Sequence, residues 1–94
     1  MSFKMPITPN LLLRNGFEFN KGGTIFGLLR ITDSYELKHN GAIIYLDDNG
    51  KDDGTRWQLH VSGARYDVKG NIGYVDELKD VFDFCGIDKK IELI

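Results

Sequence analysis

Residues 72–87 read IGYVDELKDVFDFCGI and decide the fold, because they form the one clearly helical segment in a chain otherwise patterned for strands. Apolar side chains recur there at the three- and four-residue intervals of one helix face. The residues of this face are Tyr74, Leu78, Val81, Phe82 and Cys85, with Val75 at its edge. Gly73 is expected to cap the start of the helix, and Gly86 is expected to end it in a left-handed conformation. The segment therefore predicts a helix that packs by one face on the rest of the chain.

A hairpin signal, Asn40-Gly41, lies near the middle of the chain. It is the preferred pair for a two-residue type I′ loop. A loop there predicts the cross-strand pairs Tyr35 with Leu46, Leu37 with Ile44, Glu36 with Tyr45 and Lys38 with Ile43. The apolar pairs fall together on one face, so the hydrophobic pattern and the turn chemistry agree on the register.

Strand patterns also occupy much of the remaining chain. Residues 17–19 alternate like the start of a strand, and residues 24–32 carry apolar side chains on both faces, which predicts a central strand. Residues 55–61 and 65–69 alternate cleanly, and their expected inward side chains are Trp57, Leu59, Val61, Tyr66 and Val68. Residues 69–71 are expected to interrupt the chain before the helix.

The two ends of the chain complete the predicted fold. Thr8 followed by Pro9 predicts the cap and first position of a short helix, which Gly16 would end. Residues 90–94 could form a last short strand. The sequence therefore predicts a single α+β domain over residues 1–94. It is an antiparallel β-meander of about five or six strands, with one main C-terminal helix packed on one face and a short N-terminal helix.

Composition restricts the classes of function. The chain has 94 residues, 41% of them hydrophobic, which is enough for one modest core. Its single cysteine excludes an internal disulfide framework and a cysteine-rich zinc site, and this favours a reducing cytoplasm. We expect neither a signal peptide nor a membrane span, because no apolar run is long enough. The net charge of −2 argues against nucleic acid as the primary partner, because phosphate contacts need a basic surface.

The outward face of the predicted helix is acidic. Asp76, Asp80 and Asp83 follow at intervals of four and three residues, with Glu77 beside them. Like charges at these spacings are unfavourable, and the helix dipole disfavours Asp80 and Asp83 in the second half of the helix. Two interpretations stay open, a solvated face and a docking surface for a basic protein, to which an exposed Phe84 would add. The partner-binding candidates are Asp76, Glu77, Asp80, Asp83 and Phe84.

The side chains that could perform chemistry form no arrangement that specifies a reaction. Cys85 lies on the buried helix face, where burial and the dipole both disfavour a thiolate. No spacing joins His39 or His60 to a serine or a carboxylate, although a pocket with a carboxylate beside either would favour an enzyme. Residues 47–54 resemble a calcium loop but lack its closing glutamate, so a hairpin loop is favoured over weak ion binding. We expect no catalytic residue, no metal site and no cofactor.

A second candidate surface lies on the outward side of the predicted sheet. Its residues are Tyr45, Arg56, His60, Arg65 and Lys69, which could contact RNA or bind a small ligand such as a nucleotide. A ligand site of this kind could form at the interface of a homo-oligomer. Glu36 and Asp67 interrupt the basic strip, which favours ordinary sheet exposure or a protein interface.

Two parts of the chain resemble short proteins encoded by phages and other mobile elements. In the C-terminal third, the residues that carry the resemblance are Ile72, Tyr74, Val75, Glu77, Leu78, Gly86, Ile87, Ile91, Glu92 and Leu93. Near the N-terminus they are Ile7, Thr8, Pro9, Leu12, Asn15, Gly16, Phe17 and Glu18. The resemblance implies a small α+β protein of the host cytoplasm, and it brings no catalytic residues with it.

Small acidic phage proteins often block host defence by binding a nuclease or its guide complex, so the resemblance implies an anti-CRISPR-like inhibitor. Its expected partner is a host protein or ribonucleoprotein complex, with nucleic acid secondary and no membrane contact. The oligomeric state stays open, and a homodimer is one option. Together with the acidic helix face, the resemblance favours a non-catalytic protein-binding module.

Overall fold

The computed structural model describes residues 4–25, 27, 29–51 and 53–93. The elements are α1 (Pro9–Arg14), β1 (Glu18–Asn20), β2 (Gly23–Ile25), β3 (Leu29–Ile31), β4 (Ser34–His39), β5 (Ala42–Asp48), β6 (Trp57–Ser62), β7 (Val68–Ile72) and α2 (Val75–Cys85). The predicted α+β class is confirmed. Neither of the helices among these residues is long and apolar enough to cross a membrane.

A five-stranded antiparallel sheet in the order β1-β4-β5-β6-β7 forms the framework. The tip between β4 and β5 is Asn40-Gly41, with φ angles of +51° and +86°, as a type I′ turn requires. All four cross-strand pairs predicted from this turn are present. The predicted register is therefore confirmed. It could be predicted because the turn residues and the hydrophobic pattern lie within one short segment and favour the same pairing.

The central strand predicted over residues 24–32 is wrong. β2 and β3 pair with each other in a separate two-stranded sheet, and β5 is the central strand of the main sheet. Gly27 lies between β2 and β3 and has a φ of +69°, a conformation that favours glycine and suits a chain reversal. Phe26 and Leu28, which were expected on the second face of that strand, lie outside the described residues.

The strand predicted at residues 65–69 begins later and runs further than expected. β7 includes residues 69–71, which were predicted to interrupt the chain, because Lys69 pairs with His60 and Asn71 with Gln58. The interruption lies instead at Gly73, where an added Cβ would come within 2.4 Å of the Gly54 carbonyl oxygen. Only glycine allows this approach of two backbones.

Helix α2 packs its apolar face on the inner side of the sheet. Its buried residues are Val75, Leu78, Phe82 and Cys85. Tyr74 rather than Gly73 is the N-cap, so the predicted cap is wrong by one residue. The predicted end is confirmed, because Gly86 is left-handed (φ +71°) and Ile87 N–H donates to the Phe82 carbonyl at 2.9 Å.

The C-terminal segment packs beside α1, and none of its described residues, 90–93, lies in a strand. The strand suggested there is therefore absent. The Asn15 side chain, 3% exposed, accepts from Glu92 N–H at 2.7 Å and donates to the Glu92 and Leu11 carbonyls at 2.8 Å each. α1 itself is as predicted, since Thr8 caps it and Pro9 is its first residue.

The inner face of the sheet is closed, and its outer face is open. Trp57, Leu59 and Val61 of β6 are at most 1% exposed, as predicted from their alternation. Trp57 Nε1–H also donates to the Ile7 carbonyl at 3.0 Å, which ties the N-terminal segment to the core. The functional candidates are therefore confined to the open sheet face, the outward side of α2 and the loops around them.

Candidate functional site

The outward side of α2 presents an acidic and aromatic surface. Successive residues turn by 100° around a helix axis, so Asp76 and Asp80 lie opposite the buried face. Both are exposed, and neither makes an ion pair with another described residue. Phe84 follows Asp80 by one turn and is 60% exposed. These three predicted partner-binding residues lie on one continuous surface.

Glu77, also predicted to bind a partner, serves the start of the helix. Its Oε1 accepts from the Gly73 N–H at 3.0 Å and from the Tyr74 N–H at 3.1 Å. The first N–H groups of a helix and of its cap have no partner within the helix, so such bonds stabilise its start. Glu77 is half-buried, in keeping with this structural role.

Asp83 lies about 20° from Asp76 around the helix axis, two turns further along, and borders a lysine-rich flank of α2. It lines an open groove of about 260 Å³ together with Lys79, Lys89 and Lys90. None of these ammonium groups comes within 4.0 Å of its carboxylate, but three positive charges make this flank much less acidic. Lys89 and Lys90 follow the end of α2, so helix periodicity does not indicate that they lie near Asp83. The nearby lysines therefore distinguish the surroundings of Asp83 from those of Asp76 and Asp80.

Phe84 stacks on Tyr66, a residue that was predicted to point into the core. The two ring centroids are 4.6 Å apart at an interplanar angle of 26°, and Tyr66 is 49% exposed. Tyr66 lies in a bend before β7, where Arg65 N–H donates to the Cys85 carbonyl at 3.2 Å. This bond brings the segment to the end of α2, so the prediction that Tyr66 is inward is wrong.

We call this region the aromatic–acidic surface, made of Tyr66, Asp67, Asp76, Asp80 and Phe84. Sequence reasoning missed Tyr66 and Asp67, because the alternation of residues 65–69 is typical of a strand. No local signal distinguishes this bend from a strand start. The contact that creates it joins residues far apart in the chain.

A cleft adjoins this surface, between the β4–β5 hairpin tip and the end of α2. Its volume is about 350 Å³, and it is lined by His39, Asn40, Ala42, Gly63, Ala64, Arg65, Cys85, Gly86, Ile87 and Asp88. His39 Nε2 lies 2.7 Å from Asp88 Oδ1, and this contact lowers the pKa of Asp88. A carboxylate beside His39 in a pocket is the arrangement that would favour an enzyme. The described lining residues include no serine or threonine, so Cys85 is the one side chain there with a hydroxyl or thiol group.

The Cys85 thiol is a packed core group, as predicted. The residue is 1% exposed, and its Sγ–H donates to the Tyr66 carbonyl at 3.7 Å. Burial, and secondarily the negative charge of Asp67, raise the pKa of the thiol above its ordinary value. A thiol that is both buried and protonated is a poor nucleophile.

The basic strip predicted on the open sheet face is divided by the fold. Tyr45, His60 and Lys69 lie side by side on β5, β6 and β7, with the Tyr45 and His60 ring centroids 6.4 Å apart. Glu36 lies opposite Tyr45 on β4, and its hydrogen bond with the hydroxyl raises the pKa of Tyr45. Arg65 is not part of this row, because it lines the cleft.

Arg56, the remaining member of that strip, forms an ion pair. Its Nε and Nη2 donate to the two oxygens of Asp48 at 2.9 and 2.8 Å, and its Cζ lies 4.8 Å from the centroid of the Trp57 ring. The bond from Arg56 is also the main reason that the pKa of Asp48 is lowered. The five residues predicted as one basic surface therefore do not lie together.

Two carboxylates at the connection between β5 and β6 form hydrogen bonds within it. Asp48 binds Arg56, and Asp53 accepts from the Thr55 N–H at 3.1 Å. Within the described part of the chain, no three His, Cys, Asp or Glu side chains are placed to hold a metal ion.

No protein-family model matches this chain, and comparison with curated proteins and with solved structures found no similar protein.

Proposed function

We propose that this protein is a non-catalytic protein-binding module that docks a basic partner on the aromatic–acidic surface. The exposed stack of Tyr66 and Phe84 carries the proposal, with Asp80 one turn and Asp76 two turns from Phe84 along the same side of α2. Aromatic side chains are enriched at protein interfaces, and unpaired carboxylates steer a positively charged partner. The specific form of the proposal is an inhibitor of a CRISPR-type nuclease complex in the host cytoplasm, and the resemblance to small phage proteins supports it.

The fold gains little from the side chains of this surface. Phe84 leaves most of its ring in water, so it contributes little hydrophobic stabilisation. Asp80 lies one turn from Asp76 at the centre of α2, and the repulsion between the two carboxylates is unfavourable by a few tenths of a kcal/mol. Binding accounts for residues that folding does not require.

Affinity capture from a host lysate tests the proposal. We expect the tagged wild-type protein to retain a partner, and Asp80→Lys to reduce its retention by about tenfold, because a reversed charge replaces attraction with repulsion. The identity of the retained protein, by mass spectrometry, tests whether it belongs to a nuclease complex. Thermal unfolding of both proteins checks that the variant is folded.

Asp83→Lys is the matched control for this experiment. It makes the same change of charge on the same helix, but on the flank that faces Lys79, Lys89 and Lys90. We expect it to retain the partner. Undiminished capture by Asp80→Lys contradicts docking on this surface, and equal loss in both variants indicates a response to net charge alone.

A second candidate function, binding of a small ligand, is supported by the cleft beside His39 and Asp88. Its volume of about 350 Å³ is typical of small-molecule sites. Arg65 at its rim makes no ion pair with another described residue and could hold a negative group. Native mass spectrometry of freshly purified protein should then reveal an added mass that Arg65→Ala loses. A mass equal to that of the bare chain in both proteins contradicts this alternative.

A further inference from the structure

Arg56 shows how this fold holds a guanidinium group. The group lies over the Trp57 ring, with Cζ 4.8 Å from the centroid. Its N–H groups donate along the edge to both oxygens of Asp48. A planar cation can satisfy a ring and a carboxylate together in this way, because it uses its face for one and its edge for the other.

The aromatic–acidic surface offers the same two components without the cation. Phe84 and Tyr66 supply exposed rings, and Asp80 and Asp67 lie near them on the helix and in the chain. Asp80 precedes Phe84 by four residues, which places their Cβ atoms about 6 Å apart on the helix. Asp67 directly follows Tyr66. Among the described residues, the cations over rings are Arg56 on Trp57 and Lys4 on Tyr74, and neither involves this surface.

We propose that an arginine side chain of the protein partner occupies this surface. Its guanidinium stacks on the exposed face of Phe84, and its N–H groups point toward Asp80. This assignment rests on the proposed function, because it names the group by which a basic partner is recognised.

The other basic side chains of this end of the molecule do not occupy the position. Lys79, Lys89 and Lys90 line the groove on the Asp83 flank. Arg65 packs beside Gly86, where its Cζ would lie 3.7 Å from an added Cβ, at the rim of the cleft. The negative charges of Asp76 and Asp80 are therefore left for a partner.

Arginine suits this surface better than lysine for a physical reason. A guanidinium is weakly hydrated and flat, so it can stack on a ring while it donates to a carboxylate at the ring's edge. An ammonium group is compact and strongly hydrated, and it gains less from stacking. At an exposed site the cation–ring contact contributes about 0.5–1 kcal/mol, which corresponds to a roughly two- to fivefold difference in affinity.

Two peptides of equal length and charge test the proposal, one with arginine at every basic position and one with lysine. Each is titrated into the ¹⁵N-labelled full chain and followed by amide chemical shifts. We expect the arginine peptide to bind about two- to fivefold more tightly, with shifts concentrated at residues 66–67 and 80–84. Phe84→Leu keeps an apolar side chain but removes the ring, and it should make the two affinities equal.

Tyr45→Leu is the matched control, because it removes an aromatic ring from the open sheet face. It should leave the preference for arginine unchanged. Equal affinities for the two peptides in the wild type, both reduced by Asp80→Lys, overturn the arginine proposal and leave protein docking on the surface intact. Shifts that fall elsewhere for both peptides overturn the arginine proposal, and the capture experiment then decides the proposed function by itself.

Discussion

Two regions of the molecule, the junction around Asn15 and the end of α2 around Phe84, differ in which kind of side chain they bury. Asn15 is polar yet 3% exposed, and its amide is matched by backbone groups of Leu11 and Glu92. Phe84 is apolar yet 60% exposed, and its main contact is another exposed ring. A buried polar group that is fully hydrogen-bonded stabilises a fold, whereas an exposed ring stabilises it little. Substitutions in the first region should therefore change the stability of the fold, and substitutions in the second should change partner binding.

The largest expected effect on stability is that of Asn15→Ala. The change leaves the Glu92 N–H and carbonyl without their side-chain partner in a part-buried place, although the Leu11 carbonyl keeps the Asn15 N–H, and it should cost about 2–3 kcal/mol. Urea unfolding of the two proteins measures this difference. Asn10→Ala, at an exposed position of the same helix, is the control and should change stability by less than about 0.5 kcal/mol. Similar losses in both variants would remove the contrast between the two regions.

An intermediate effect is expected for the half-buried pair of Asp48 and Arg56. The pKa of Asp48 is lowered in the fold, so its contribution is complete above its unfolded pKa of about 4 and is lost as the pH falls through the folded value. Asp48→Asn should lower stability by roughly 1–2 kcal/mol at neutral pH. The difference should shrink in acid, and urea midpoints at about pH 7 and about pH 3 measure it. If the stabilities of the two proteins change with pH in parallel, the Asp48 carboxylate is not the source of the pH dependence.

The smallest effect on stability is expected for Phe84→Ala. The change removes one aromatic stack at the surface, which is worth about 0.5–1 kcal/mol. Partner capture should nevertheless fall more than in any other variant that folds normally. Leu13→Ala, at an apolar position of α1 that is 49% exposed, is the control and should retain capture. A large loss of stability with unchanged capture would place Phe84 with Asn15 as a structural residue.

The predictions that were confirmed depend on contacts within a few residues. The Asn40-Gly41 turn sets the register of β4 and β5, Thr8 caps α1, and Gly86 ends α2. Each of these signals acts through backbone geometry within its own segment. Sequence pattern is therefore a sufficient guide to them.

The predictions that were wrong depend on contacts between distant segments. Tyr66 leaves the sheet because Arg65 binds the end of α2, and the chain turns at Gly73 because Gly54 packs against it. The same is true of the candidate surface. Helix periodicity placed Asp76, Asp80 and Phe84 on one side, but it could not distinguish Asp83, which faces lysines that follow the helix.

The sequence by itself determined the α+β class, the main hairpin and the two faces of α2, because periodicity and turn residues encode local geometry. Only the tertiary structure decided that Tyr66 stacks on Phe84, that Glu77 serves the helix start, and that His39 meets Asp88 in a cleft. These contacts join residues across loops and strand ends, where no periodic pattern in the chain records which segments will come together.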